Sequence, residues 1–390
     1  MLLKGENIIC IANTSWFGNY AKSTVQIMER LAKNNRVLFV EYPYTIKDVF
    51  ATWRHKQSAP VKRMLGFDKR LQIIESPVGS SAYNLVIPPG IPVFFLKNEF
   101  LFRLLFPINV FIYWLTVRWA IRKLNFSNPI VVTAYNPIYG LYLLRKFNEK
   151  KHVYYCYDGV ESVFFGQRIF DIERRFCQQV DAIITTSDFL NSKKKLLNSH
   201  CNVVKNGVDF PLFQRFAKHN VFQRTCKKVG FIGSLDPRFD IDTMEYVVAK
   251  MPDFDFHFTG DMRNVALKSR LAKFVNVQFF DPIKPNDVPP LLATYDVGII
   301  PYIVNEVNKN IYPLKINEYL SVGVPVVMTA FAILPEFDTM VSIATNKDEF
   351  VAQLRAETKY DNTVKIKQRI EFAASNSWDA RTEQFGDLLN

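Results

Sequence analysis

"VGFIGSLDPRFDIDTM", residues 229 to 244, decides the fold. A short apolar run stops at Gly233, a polar turn follows, and a helical pattern opens after Asp240 or Asp242, either of which can cap it. Strand, glycine turn, helix is the opening unit of an α/β sheet with parallel strands. Gly233 allows close approach of a backbone, or simply makes a tight strand-to-helix turn. The spacing is not GxGxxG, which argues against a dinucleotide site.

Working outward, the same alternation runs from end to end. After "KKVGFIGS" come "FDFHFTG", "VNVQFF", "DVGIIP" and "VPVVMT" as strands with helical stretches between them. The first half repeats the arrangement with "NIICIAN", "RVLFVEY", "PIVVTAY", "HVYYCYD", "DAIITTS" and the shorter "CNVVKNG". Between its first two strands, "STVQIMERLAKN" reads as a helix capped by Ser23 or Thr24. Two doubly wound domains follow, with a boundary in the strandless stretch 210 to 227, so that the first domain is 1–215. Ligands of such sheets sit beyond the carboxyl ends of the strands. Two domains facing each other make a cleft there, bounded by loops 13–23 and 157–162 of the first and 233–240, 259–263 and 302–315 of the second.

At 390 residues the chain is long for one core. Apolar residues at 48% and charged residues at 22% are an ordinary globular balance. The formal charge of +12 points to an anionic partner: a phosphorylated substrate, an anionic lipid or a nucleic acid. No basic groove with interleaved aromatics is present, so nucleic acid is not expected. Five cysteines without a CxxC pair suit a reducing compartment. "MLLKGENIICIANTS" reaches a charge too soon for a signal-peptide core, and no apolar run reaches the eighteen or so residues of a membrane span. The expectation is a cytoplasmic protein.

Three stretches carry candidate chemistry. In "NKNIYPLKINEYLSVGVPVV" (308 to 327), Pro313 suits the first position of a helix that Gly323 ends. Lys315 and Glu318 share a face near its positive N-terminus, which favours an anion; a sugar-linked diphosphate satisfies amides, cation and carboxylate together. The competing reading is a plain surface ion pair. Asp158 ends a strand before Gly159 and is either a general base or a turn former. Asp209 and Asp296 read as structural. The stretch 94 to 126 mixes aromatic and aliphatic residues with Lys97, Arg103, Arg118, Arg122 and Lys123. It reads either as a surface for an anionic membrane or as two core helices joined near Pro107. Histidines form no HxxxH or HxH set, and no GxSxG is present.

Taken in order, "YYCYDGVES", "IERRFCQQVDAIITTSDFL", "NVVKNGVDFPLF", "GFIGSLDPRFDID", "NVQFFDPIKPNDVPPLLATYDVGIIPYIVNEV" and "YPLKINEYLSVGVPVVMT" resemble the GT-B glycosyltransferases of bacterial surface polysaccharide assembly. Teichuronic-acid-type and xanthan glucuronosyltransferase-like enzymes are the most similar kind. The terminal "SNSWDARTEQFGDLL" resembles the helix that crosses back to the first domain. The resemblance implies an α/β, GT-B architecture: an acceptor-binding Rossmann-like domain (1–215), a nucleotide-sugar domain (216–372) and a returning helix (373–390). It implies Glu318 on the ribose, and Lys315 with the backbone of Tyr312, Pro313 and Leu314 on the diphosphate. Gly233, Ser234 and Arg238 complete the donor side, Asp158 is the candidate base, and Trp16, Gly18, Asn19 and Glu161 line the acceptor side.

Three departures qualify the resemblance. An E-x7-E pattern needs an acid where Asn310 stands, which weakens a retaining mechanism. Ser234 occupies the place of a frequent arginine, and "RFD" replaces a lysine-glycine pair. The expected activity is transfer from a nucleotide-diphosphate sugar, with UDP as nucleotide, to a glycan or polyprenyl-linked acceptor. Inversion is expected, with no cofactor or metal, because Lys315, Arg238 and the helix dipole offset the diphosphate charge. The expected location is peripheral, on the anionic inner face of the plasma membrane. The alternatives are a nucleotide-sugar epimerase of the same fold and a non-catalytic partner that recruits a transferase.

Overall fold

Eight strands form the first sheet: β1 (Asn7–Ala12), β2 (Arg36–Val40), β3 (Leu71–Glu75), β4 (Ser81–Leu85), β5 (Ile130–Ala134), β6 (Lys151–Cys156), β7 (Ala182–Thr185) and β8 (Cys201–Val203). The computed structural model describes residues 2–18, 22–54, 56, 58–94, 96, 98–160, 167–262 and 265–390. The order is β3-β4-β2-β1-β5-β6-β7-β8, parallel except for the β3–β4 pair. β5 is buried along its whole length and β1 beyond Asn7, as uninterrupted apolar central strands require. All six strands expected in this half are present. β3 and β4 are additional, and their mixed polarity explains why the pattern hid them: Ile73 is well exposed and Asn84 is buried.

The second sheet holds β9 (Lys227–Ile232), β10 (Phe254–Thr259), β11 (Val277–Phe280), β12 (Val297–Ile300), β13 (Val326–Thr329) and β14 (Val341–Ala344). Its order, β11-β10-β9-β12-β13-β14, is parallel throughout. β14 is the one strand here that the apolar pattern did not mark. Two glycines on the central strands let large rings approach the backbone. A Cβ on Gly230 meets the Tyr295 ring at 2.1 Å, and one on Gly298 meets the Tyr319 ring at 2.5 Å. Tyr319 also donates its hydroxyl to the Gly230 carbonyl at 3.0 Å, which fixes the helix carrying it against β9.

The chain divides into two units. One contains Lys22–Lys205, the described residues before them and Thr382–Asn390; the other contains Asn206–Arg381. The division therefore precedes the expected 215/216, because residues 206–213 belong to the second core. Val208 exchanges backbone bonds with Asn376 and Trp378, and Phe213 is buried among that unit's side chains. The return falls inside the helix Trp378–Leu389, not at 373, since Ala373 still packs in the second unit. Beyond it Phe385 is buried edge-on to Tyr155, with ring centroids 5.3 Å apart.

Two helices differ from expectation. Glu99–Leu124 is one continuous helix of 26 residues with Pro107 inside it, not two helices joined there. Pro107 lacks an amide for the Arg103 carbonyl, but both residues are exposed, so water can satisfy that oxygen. By length and composition this helix can cross a membrane, contrary to the sequence reading. One side of it is nevertheless core: Phe102, Phe106, Tyr113, Val117 and Ala120 are buried against the first sheet, and Asn109, also buried, bonds both backbone groups of Ile91 at 2.8 Å. Burial of each large side chain there stabilises by about 1.5–3 kcal/mol. The first helix spans Ser23–Leu31, and Lys22, not Ser23 or Thr24, occupies its N-cap without a side-chain bond.

Candidate functional site

The second sheet runs from β9 outward to β11, then returns to β12 and continues the other way. The crevice at such a reversal, beyond the carboxyl ends of β9 and β12, is where ligands of open α/β sheets sit. The loops after these two strands are knitted together there. Ile303 donates its amide to the Arg238 carbonyl at 2.8 Å, and Asp240 donates its own to Pro301 at 2.8 Å. Asp240, not Asp242, caps the following helix through the Thr243 amide at 2.9 Å.

Gly233 and Gly260 end β9 and β10 with φ of +146° and +145°. They are stacked so closely that a Cβ on Gly260 lies 2.0 Å from the Gly233 carbonyl oxygen. A Cβ on Gly233 meets Lys315 instead, 2.5 Å from Cε and 2.7 Å from Nζ. The ammonium group of Lys315 therefore lies over the bare backbone of the glycine turn. It donates to the Tyr302 hydroxyl at 3.1 Å and sits 5.3 Å from the Phe231 ring centroid and 5.7 Å from that of Tyr302. Glycine at 233 thus suits both the positive φ of the tight turn and the close pass of the Lys315 side chain over it.

Lys315 and Glu318 belong to the helix Leu314–Ser321. Pro313 is its N-cap, one residue earlier than expected, with φ −75° and ψ 119°. The preceding Tyr312 is buried, and its carbonyl accepts from the Asn206 side-chain amide at 3.0 Å. The first-turn amides of a helix have no intrahelical acceptors, so this end is suited to an anion. Glu318 is half-buried on the same face. Burial pushes its carboxyl above the ordinary glutamate value, and the Lys315 charge partly opposes that.

Arg238 is engaged differently from the sequence reading. Its guanidinium grips the Asp236 carboxylate, Nε to Oδ1 at 2.9 Å and Nη2 to Oδ2 at 2.5 Å, and its charge lies 5.5 Å from the Tyr302 ring centroid. Burial raises the Asp236 carboxyl, but the Arg238 bonds outweigh it and the net shift is downward. A phosphate near Arg238 competes with a carboxylate already in place. Ser234 stands in the same turn, half-buried. Asn310 is buried and donates its side-chain amide to the Glu306 and Val307 carbonyls at 3.0 and 3.1 Å. A carboxylate cannot make these donations, which gives Asn310 a structural reason in this chain. Asp296 accepts the Lys228 amide at 2.8 Å and is structural, as expected.

In the first unit Asp158 follows β6, and its Oδ1 accepts the Gly159 amide at 2.8 Å, so it does form a turn. Trp16 is buried, with its amide on Glu41 Oε1 at 3.0 Å and its ring edge-on to Phe39. Gly18 has φ +146°, and a Cβ there lies 2.9 Å from Lys22 Nζ. Asn19 and Glu161 lie outside the described residues. Gly260, Tyr302, Asn206 and Asp236 were given no role from the sequence. The signal for Gly260 was present in "FDFHFTG", which ends on glycine as "VGFIG" does.

Two Rossmann-like parallel sheets joined by a returning terminal helix define the GT-B fold, the fold of many glycosyltransferases. Residues 226–357 match the family model described as glycosyl transferases group 1, so the second unit carries such a domain. A Bacillus subtilis (strain 168) protein assigned as a teichuronic acid biosynthesis glycosyltransferase is 32% identical over 178 residues, 43% of this chain and 45% of that one. The match spans less than half of that relative's length. Among solved structures, sucrose-phosphate synthase from Thermosynechococcus elongatus superposes with a TM-score of 0.69 at 15% identity over 98% of both chains. The Anabaena protein HepE, solved with UDP-glucose, gives 0.65 at 11% identity over 98% of both. At these identities the likeness establishes the fold.

Proposed function

We propose that this chain is a glycosyltransferase (EC 2.4) that moves a sugar from a nucleotide-diphosphate donor, a UDP-sugar, to a glycan or lipid-linked glycan in the assembly of a surface polysaccharide. One observation carries the reading: at the sheet's switch point, Lys315 is laid over the Gly233 turn beside a helix N-terminus and Glu318. The group 1 match and the UDP-glucose of the HepE structure support the donor class. The 32% identity with the teichuronic acid relative supports the pathway class.

In this reading Glu318 accepts the ribose hydroxyls. Lys315 and the amides after Pro313 hold the diphosphate and offset its charge as it leaves, so activity persists in the presence of a chelator. Asp158 takes the proton of the attacking acceptor hydroxyl, and transfer inverts the anomeric centre. The uncovered side of the Glu99–Leu124 helix rests on an anionic membrane surface, where a lipid-linked acceptor is presented. A thermal-shift panel of UDP-, GDP-, CDP- and ADP-sugars tests the donor. Stabilisation by UDP-sugars is expected, and stabilisation by none of the panel refutes the reading.

A further inference from the structure

The last half of the Glu99–Leu124 helix and the turn Gly66–Leu71 enclose a pocket of about 920 Å³ in the first unit. Five cations line it: Lys69, Arg70, Arg118, Arg122 and Lys123. None of them forms an ion pair among the described residues. The one carboxylate in the lining, Asp68, accepts the neighbouring Lys69 amide at 2.6 Å. Arg70 is held in place by its bond to the Met64 carbonyl at 3.1 Å, while its buried Nε has no partner among the described residues. Its guanidinium lies over Gly66, whose φ of +82° and missing side chain make the room: a Cβ there sits 3.0 Å from Nη2.

Two tryptophans hold two of the other cations. The Arg118 guanidinium carbon is 5.1 Å from the Trp114 ring centroid, and Lys123 Nζ is 5.1 Å from that of Trp119. The pocket also opens onto an apolar stripe. Leu104, Ile108, Phe111, Leu115 and Trp119 are exposed at spacings of four, three, four and four, one face of a helix. Leu115 and Trp119 belong to both stripe and pocket. Phe67, 81% exposed, stands in the turn between two lining residues.

A cluster of uncompensated cations that runs into an exposed apolar helix face matches a molecule that is anionic at one end and apolar at the other. We propose that this pocket binds the phosphate headgroup of an anionic phospholipid, with the acyl chains leaving along Leu115, Phe111 and Ile108. The proposal rests on membrane association of this face and adds a defined headgroup site to it, distinct from the donor site. Charge complementarity selects the occupant, because a partner protein covering the stripe alone does not require five cations at one end of it.

The test is co-sedimentation with phosphatidylcholine vesicles with and without phosphatidylglycerol. It uses the wild type, Arg118→Ala/Arg122→Ala in the pocket and Lys347→Ala/Lys359→Ala, which removes the same charge from exposed positions in the second unit. Binding to the anionic vesicles should fall by about thirtyfold in the pocket variant only, the effect of two cations near a charged surface. Equal loss in both variants reduces the effect to net charge and overturns the site. No loss in the pocket variant overturns the site and leaves membrane association standing. Absence of wild-type binding to either vesicle overturns both. Water-soluble glycerol phosphate that competes at concentrations comparable to the lipid identifies a free phosphate ligand and overturns the lipid assignment.

Discussion

Replacing Lys315 by methionine tests the donor site most directly, because it keeps the stem between Phe231 and Tyr302 and removes only the charge. The ammonium is already placed, bonded to the Tyr302 hydroxyl at 3.1 Å over the open Gly233 backbone, so little ordering is needed when a diphosphate arrives. A charge-assisted contact of this kind is worth roughly 1.5–3 kcal/mol. That corresponds to a loss in UDP affinity of about 10- to 150-fold. UDP at a hundredfold over the wild-type dissociation constant stabilises the folded protein by about 2.7 kcal/mol. With affinity thirtyfold weaker, the same UDP concentration is about threefold over the variant's constant and stabilises by only about 0.8 kcal/mol. For a unit of this size the ligand-induced rise in melting temperature shrinks from roughly 5–11 °C to roughly 2–3 °C. Calorimetry with uridine is the control, since a nucleoside without phosphates should bind both proteins alike. Unchanged UDP affinity refutes the phosphate role, and an equal loss for uridine shows that Lys315 acts by holding the loop.

Glu318→Gln should weaken UDP binding yet stabilise the free protein near neutral pH. The folded-state carboxyl titrates above its unfolded value, so its contribution to stability is complete at low pH and is lost as pH rises through the folded value. The melting-temperature gain of the variant should therefore grow as pH climbs above 4.5, and a pH-independent difference refutes the assignment. Gly260→Ala should lose more stability in urea than Gly233→Ala. The first collides with backbone and the second with a movable lysine tail, although both carry about 1–3 kcal/mol of strain from positive φ. Gly233→Ala should lower UDP affinity in the protein that remains folded. Lys218 is buried with its amine on the Tyr295 carbonyl at 2.6 Å, and burial lowers its pKa to about 8. A depressed amine makes stability rise with pH between the folded and unfolded values, so Lys218→Met should flatten the melting curve between pH 8 and 10.5. Asp158→Asn keeps an oxygen for the Gly159 amide and removes the proton acceptor. It should cut turnover about 10²–10⁴-fold with UDP binding intact, and a product that retains the donor's anomeric configuration by NMR refutes the inverting mechanism.

The parts of the fold that were legible are those where one stretch of chain contains its own reason. The central strands are apolar on both faces because both faces are covered, so "IVVTA" and "VGII" declare themselves without reference to neighbours. β3 and β4 do not, since one half-exposed pair draws its stability from pairing across a turn and from the buried Asn84, which bonds to Glu41 and Arg63. The long helix was cut at Pro107 because proline usually ends a helix. What overrides it is tertiary: Phe102 and Phe106 before it and Tyr113 and Val117 after it pack on the same sheet face.

The candidate site divides along the same line. Lys315 and Glu318 are neighbours on one turn of helix, so spacing alone brought them together. Gly233 and Gly260 are on different strands, Tyr302 follows a third and Asn206 lies near the start of the unit; only the sheet order brings them to the mouth of that helix. Sequence distance also concealed the rivalry for Arg238. Asp236 is two residues away and looks like a turn residue, yet it holds the guanidinium through both carboxylate oxygens. The positive charge poised over the glycine turn is therefore Lys315. Of the two cations assigned to the diphosphate, its loss should cost the larger share of UDP affinity. Arg238→Ala also releases Asp236 and leaves an unpaired carboxylate, so any drop it causes mixes lost attraction with new repulsion. The double variant Asp236→Asn/Arg238→Ala separates the two effects. If UDP binds it as tightly as the wild type, Arg238 serves only to neutralise Asp236, and Lys315 with the helix amides carries the phosphate contact.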